Sequence, residues 1–200
     1  MTVLDERRHK LLAEAAAGLE PDSIDPNELI NTYHQHVLTE DLATRHPDDI
    51  RGAVLSHLAL ARKRQAGEIL VSGFTPRVDT HGWATGHTVL QVVTDDMPFL
   101  VDSITAELDR QRQGIRLLIH PQLTVERAAD GTISGLHGGL AESWIHVEIT
   151  RVTDQDVLDT LVSRLKFVLG EVATAVADWE PMIHRAIEIS DSLAEEPASI

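Results

Sequence analysis

Between Thr88 and Pro121 the chain reads TVLQVVTDDMPFLVDSITAELDRQRQGIRLLIHP: a strand, a tight turn, a helix and a second strand in close succession. No other segment constrains the fold as much, because each part carries its own signature. Thr88, Leu90 and Val92 alternate with Val89, Gln91 and Val93, which predicts a strand buried on at least one side. Asp96 is placed to cap a helix whose Met97, Leu100, Val101, Ile104 and Leu108 share one face. Gly114 is the natural stop for that helix. Ile115, Leu117 and Ile119 then open a strand that continues past Pro121 through Leu123 and Val125.

The flanking sequence extends this unit. Ala129-Asp130-Gly131 is a hairpin signal, with Thr132 to Leu136 as the returning arm. The run GLHGGL (135–140) is expected to be a flexible loop leading into ESWIHVEIT, where Ile145, Val147 and Ile149 share one face and Trp144, His146 and Glu148 the other. Thr153 with Asp156 three residues on is a capping-box pattern, opening a helix expected to turn Val157, Leu158, Leu161, Val162, Leu165, Val168, Leu169 and Val172 inward. Trp179-Glu180-Pro181 should break that helix and Pro181 start a last one, before a loose end, EEPASI. The chain reads as a fragment of something longer.

Upstream, Ile69 to Phe74 form a short strand and residues 77–86 carry turn chemistry. Before Gly67 the pattern is helical: a stripe of Leu11, Leu12, Ala15, Ala16 and Leu19 stopped near Gly18 and Pro21, a helix capped by Asp25 with Pro26 at its first position, and a third after His46-Pro47. The order from Thr88 onward, β-α-β-β-α, opens the ferredoxin-like split arrangement. The expected class is therefore α+β: an antiparallel sheet with helices on one face, preceded by a helical extension. Residues 1–66 form that extension, 67–178 the α+β domain and 179–200 a C-terminal helix and linker.

A formal charge of −15 runs against a nucleic-acid partner, whose contacts call for a positive surface, and against an anionic membrane. The chain has no cysteine, which removes disulfides, thiolate metal sites and cysteine nucleophiles together. MTVLDERRHKLL carries charges where a signal peptide needs an apolar core, and no run approaches the roughly 20 apolar residues of a membrane span. A cytoplasmic location is expected.

Chemistry is sparse. There is no G-x-S-x-G elbow, H-E-x-x-H helix or phosphate-binding P-loop. Gly135-Leu136-His137-Gly138-Gly139 precedes a strand rather than a helix, so it offers no helix N-terminus to a pyrophosphate, and no cofactor is expected in this chain. His87, His120 and His146 could share a sheet face, but semi-exposed histidines on a polar face explain them better than a metal does, and no metal is assigned. Asp95 and Asp96 suit a helix N-terminus, with a ligand amine as a second role for Asp95; Arg62, Lys63 and Arg64 suit a helix C-terminus and need no anion. Trp144, with His146, reads as core or as an interface anchor, tryptophan being over-represented at binding hot spots.

The turn DDMPFL is similar to the D-x-P-G-L turn of ACT domains, small modules that commonly bind amino acids at subunit or domain interfaces. More specifically, HTVLQVVTDDMPFLVDSITAEL, the IHP at Ile119–Pro121, ESWIHVEI and DWEPM together resemble the large bacterial NAD-specific glutamate dehydrogenases, whose long N-terminal region begins with ACT-like domains. The resemblance implies a parent enzyme that converts L-glutamate and NAD to 2-oxoglutarate and ammonia in a catalytic domain far downstream. It carries no catalytic residue onto this chain. What it implies here is a regulatory or assembly module whose partners are downstream modules or other subunits. The alternative is an amino-acid sensor, with Asp95, Asp96, Met97, Pro98, Phe99 and Leu100 as the effector turn facing Ile115–His120; a second is a metal protein built on the three histidines. Where the ACT turn has glycine this chain has Phe99, a side chain expected to fill the ligand space or pack inward on the sheet.

Overall fold

The computed structural model describes residues 3–19 and 24–195; the expected stop at Pro21 and the chain end at 196–200 lie outside them. An open five-stranded antiparallel sheet forms the centre, in the order β1-β2-β5-β3 with β4 also paired to β5. The strands are β1 (Leu70–Phe74), β2 (Thr88–Asp95), β3 (Ile115–Ile119), β4 (Gln122–Arg127) and β5 (Ile133–Ile149). The β1 segment supplies the sheet's edge beside β2, pairing Leu70 with Val93 and Phe74 with Val89, and a one-turn helix, α5 (Val78–His81), lies between the two in the chain. Along the far side of β5, β3 and β4 lie end to end, Ile119 opposite His146 and Gln122 opposite Ser143, so His120 and Pro121 merely interrupt one edge.

Period-2 alternation sends the central strands' side chains to two different cores. Leu90, Val92, Ile145, Val147 and Ile149 meet Leu100, Ile104 and Leu108 of α6 (Leu100–Arg110) and Leu158, Leu161, Leu165 and Leu169 of α7 (Gln155–Glu195). The other face is not open. Val93, Trp144, Ile119, Leu123 and Val125 pack against α1 (Val3–Ala16), α2 (Pro26–His34), α3 (Thr39–Ala43) and α4 (Pro47–Ala61). The helical extension therefore shares a core with the sheet: the two-helix layer stands on one face as the sequence suggests, and the extension covers the other.

Several local readings hold. Asp25 caps α2 by accepting from Asn27 N–H at 2.9 Å, with Pro26 in the first turn. The turn between β4 and β5 closes at Gly131, whose φ is +87°; a Cβ there would sit 2.5 Å from the Arg64 carbonyl oxygen, so only glycine admits the end of α4 so close.

Five readings are corrected. Gly114 does not stop α6, which ends at Arg110, and the left-handed residue that follows it is Arg112, at φ 56°. GLHGGL is not a loop between strands but lies inside β5: β4 advances from Val125 to Glu126 while its partner changes from Leu140 to Gly135, and the intervening residues bulge out. Pro181 does not end the last helix, and α7 runs through it for 41 residues. The α7 cap is Asp154, accepting from Asp156 N–H at 2.9 Å, rather than Thr153. Asp96 does not cap α6; the residue before that helix is Phe99, at φ 69° and ψ 5°, with no side-chain cap. Among the described residues no helix is long and apolar enough to cross a membrane.

Candidate functional site

The turn after β2 is fastened before it reaches α6. The Asp96 N–H donates to the Ala141 carbonyl at 2.9 Å, and Ser103 N–H returns to the Phe99 carbonyl at 3.0 Å, starting the helix without a side-chain cap. Leu100 is buried and Met97 partly buried on the α6–α7 core, while Pro98 is exposed. Phe99 neither fills a ligand space nor packs inward: it is 65% exposed. Its backbone holds the left-handed conformation that the ACT turn's glycine suits, one that costs a residue with a Cβ roughly 1–2 kcal/mol.

Both carboxylates of the turn are engaged. Asp96 accepts from the Ser143 hydroxyl at 2.6 Å and from Gln122 Nε2 at 2.9 Å. Since the Ser143 proton is directed to Asp96, its oxygen accepts from His120 Nε2–H at 2.8 Å. Ser143 is fully buried, which makes this chain of bonds a fastening between β5 and the turn rather than an activated nucleophile. Burial lowers the His120 pKa, with Asp96 opposing.

Asp95 faces the other way, into a buried charge cluster. Its Oδ1 accepts from Arg64 Nη2 at 2.5 Å and its Oδ2 from Gly67 N–H at 2.9 Å. Arg64 also donates to Glu142 Oε1 at 2.8 Å, and Arg127 clamps both oxygens of Glu142 at 2.6 and 2.9 Å. The Trp144 indole N–H completes Glu142's shell at 3.1 Å. Burial pushes the Glu142 pKa up, but the bonds from Arg127, Arg64 and Trp144 outweigh it and hold the group below the usual carboxylate range. Burial likewise disfavours the Arg64 cation, and Glu142 and Asp95 more than restore it. Arg64 and Glu142 have side chains only 1% exposed; such ions persist only when fully paired and hydrogen-bonded. The cluster ties the end of α4 to β2, β4 and β5, and Arg127 adds bonds to the Ala61 and Gly131 carbonyls at 2.9 and 2.8 Å.

Trp144 and His146 lie on an inner face. Both are fully buried beneath this chain's own helices, so the face on which an interface was expected is already covered. The Trp144 ring lies 5.2 Å from that of His57. His57 Nε2–H donates to the Val92 carbonyl at 3.0 Å, leaving Nδ1 to accept from the Tyr33 hydroxyl at 2.7 Å. Burial holds His57 at a pKa of about 3 and His34 at about 4, so both are neutral. His146 contacts Gln91 and lies 3.5 Å from Glu148, which Arg45 grips at 2.7 and 3.0 Å. Burial acts to raise the Glu148 pKa, but His146 and Arg45 bring it to about 2.

The structure thus brings Asp95 and Asp96 to opposite sides of one turn and joins them to residues the sequence did not single out: Glu142, Ser143, Gln122 and Arg127. Arg64, read from sequence as a helix-end cation, has an anion partner after all. One signal was present. Glu142 and Glu148 flank Trp144 and His146 on one strand face, and carboxylates on a buried face require cations. His87, His120 and His146 are not assembled: among the described residues no group of three or more His, Asp or Glu is placed to hold a metal ion.

Residues 29–165, from α2 into α7 and across the boundary expected at residue 66, match the family model described as "Glutamate dehydrogenase, ACT1 domain". The chain is 34% identical over 157 residues to the NAD-specific glutamate dehydrogenase of Pseudomonas aeruginosa, an alignment covering 75% of this chain and 10% of that protein. It is 33% identical over 178 residues to the enzyme of the same name from Halomonas elongata, covering 84% and 11%, and 28% identical over 142 residues to that of Mycobacterium tuberculosis, covering 68% and 8%. The aligned part is about a tenth of the length of these relatives. A strand–turn–helix unit on an antiparallel sheet, with its charge cluster bound into the helical layer, is here the form taken by a member of the glutamate dehydrogenase ACT1 domain family.

Proposed function

We propose that this chain is a non-catalytic assembly and regulatory module of a large cytoplasmic NAD-specific glutamate dehydrogenase, whose catalysis and NAD binding belong to other parts of the polypeptide. The observation that carries the reading is the state of the turn. The carboxylates an amino-acid effector would use are already bonded within the chain, Asp95 to Arg64 and Gly67 and Asp96 to Ser143 and Gln122. An effector amine would have to displace an arginine whose charge is buried, leaving that cation partly unpaired at a cost of several kcal/mol. The module's partners are then other modules or subunits of the same enzyme.

The test is calorimetric titration of the chain with glutamate and a panel of other amino acids at millimolar concentration. Assembly work predicts no saturable heat. Saturable heat that disappears in Asp96→Asn would replace this reading with amino-acid sensing. Metal retained through purification in stoichiometric amount would replace it with the histidine-based alternative.

A further inference from the structure

The longest helix of the chain outruns the sheet that supports it. α7 has 41 residues, about 60 Å at 1.5 Å per residue. Its first half is held by Leu158, Leu161, Leu165 and Leu169, all buried on the sheet. The same face continues at three- and four-residue spacing through Val172, Val176, Trp179, Ile183 and Ile187. Pro181, two residues past Trp179, falls roughly 200° round the helix and leaves the stripe unbroken. Yet Trp179, Met182 and Ile187 are 60%, 59% and 53% exposed, and Ile183 is exposed beside them. Contiguous apolar side chains of this size in water mark an interaction surface.

We infer that the stripe Trp179–Met182–Ile183–Ile187 is a docking ridge seated in an apolar groove on another part of the longer polypeptide; this rests on the assembly reading above. Two observations choose that occupant. The ridge continues the face by which α7 packs on its own sheet, so it suits a further packed layer rather than a small ligand. A second copy fits less well, because it would bring a second charge of −15 against the first, and Asp178 stands exposed beside Trp179. The groove is accordingly apolar at its floor, with polar groups at its rim to meet Asp178 and the exposed Arg185–Glu188 pair.

The test compares amide exchange at residues 176–190 in this chain and in the full-length enzyme, and adds the double substitution Trp179→Asp, Ile183→Asp in both. Expected are fast exchange in the chain alone, protection of at least tenfold in the full-length enzyme, and loss of that protection and of normal assembly in the variant. Melting of the chain alone should stay within a few degrees, since both side chains are exposed. Equal exchange in the two settings overturns the ridge. So does a wild-type chain that sediments as a dimer and becomes monomeric on substitution, which would make the occupant a second copy. Deleting residues 1–200 from the enzyme separates the two claims: unchanged assembly and activity sink the assembly reading itself, whereas a lost assembly with a harmless double variant sinks only the ridge.

Discussion

Two substitutions of Phe99, to alanine and to glycine, differ by one methyl group and isolate the strain in its backbone. In Phe99→Ala the partial cover of the ring is lost and the left-handed backbone, φ 69°, is kept with a Cβ still attached. In Phe99→Gly the same cover is lost and the strain goes with it. The contrast between the two therefore cancels the packing term, which for a side chain of a residue 65% exposed is modest in any case. Relief of a left-handed Cβ is worth roughly 1–2 kcal/mol, and the greater freedom of glycine in the unfolded chain offsets roughly 0.5–1 kcal/mol of it. The glycine variant should be the more stable by about 1 kcal/mol, which for a chain of this size raises Tm by roughly 2–4 °C. In ordinary helix or strand positions the order is reversed, with alanine ahead. Urea denaturation of both variants, with equal slopes, reads the difference directly. An alanine variant equal to or above the glycine variant would refute the left-handed cap and the argument that this turn retains the ACT backbone without its glycine.

Glu142→Ala leaves the buried Arg64 and Arg127 facing each other without their shared anion and should cost about 3–5 kcal/mol by urea titration, with Glu142→Gln intermediate. Trp144→Ala, on a buried face, should cost about 3–5 kcal/mol of folding stability, read as a lowered denaturation midpoint. Acid should loosen the helical layer in two steps. His34 and His57 have folded pKa values of about 4 and about 3 against 6.5 unfolded, so the unfolded chain binds more protons and stability falls as pH drops from about 6.5 toward 3. The His34 shift alone corresponds to about 3 kcal/mol. Glu148, held at about 2, contributes stability present above its unfolded pKa of 4.5 and lost as pH falls below that. Circular dichroism and tryptophan fluorescence between pH 7 and about 2 follow both steps, and a flat stability profile above pH 5 would contradict neutral buried histidines.

Most strands and helices from Thr88 to Leu169 were legible where periodicity and punctuation agree: Gly131 and the alternation in ESWIHVEI each do locally what the fold needs globally. Where sequence reasoning failed, a local rule was overridden by something distant. Asp96 looks like a cap, but Ser143 and Gln122 claim its carboxylate across the sheet. Pro181 looks like a break, but one lost N–H on an exposed helix leaves α7 able to continue. Phe99 had no reason in its own sequence to stay in water. The buried charge cluster was hidden for the same cause: Arg64 and Glu142 are 78 residues apart, and only the pairing of β5 with β2 and the return of the chain at Gly131 bring them together.

That cluster also determines what the turn can do. Asp95 sits at the last position of β2 and is held through Arg64 to the end of α4 and through Glu142 to β5. Releasing Asp95 toward any outside cation would strip Arg64 of one anion and leave its guanidinium with Glu142 as its remaining anion, beside the Glu68 carbonyl at 2.9 Å. Arg64 is joined to Gly131 through its backbone N–H at 3.0 Å, so the disturbance would reach the turn between β4 and β5 and the underside of the helical layer. In this chain the turn and the N-terminal helices are one mechanical unit. On the assembly role proposed above, a partner that moves the turn must move the layer with it, and the double-sided packing of the sheet then serves that role as well as stability.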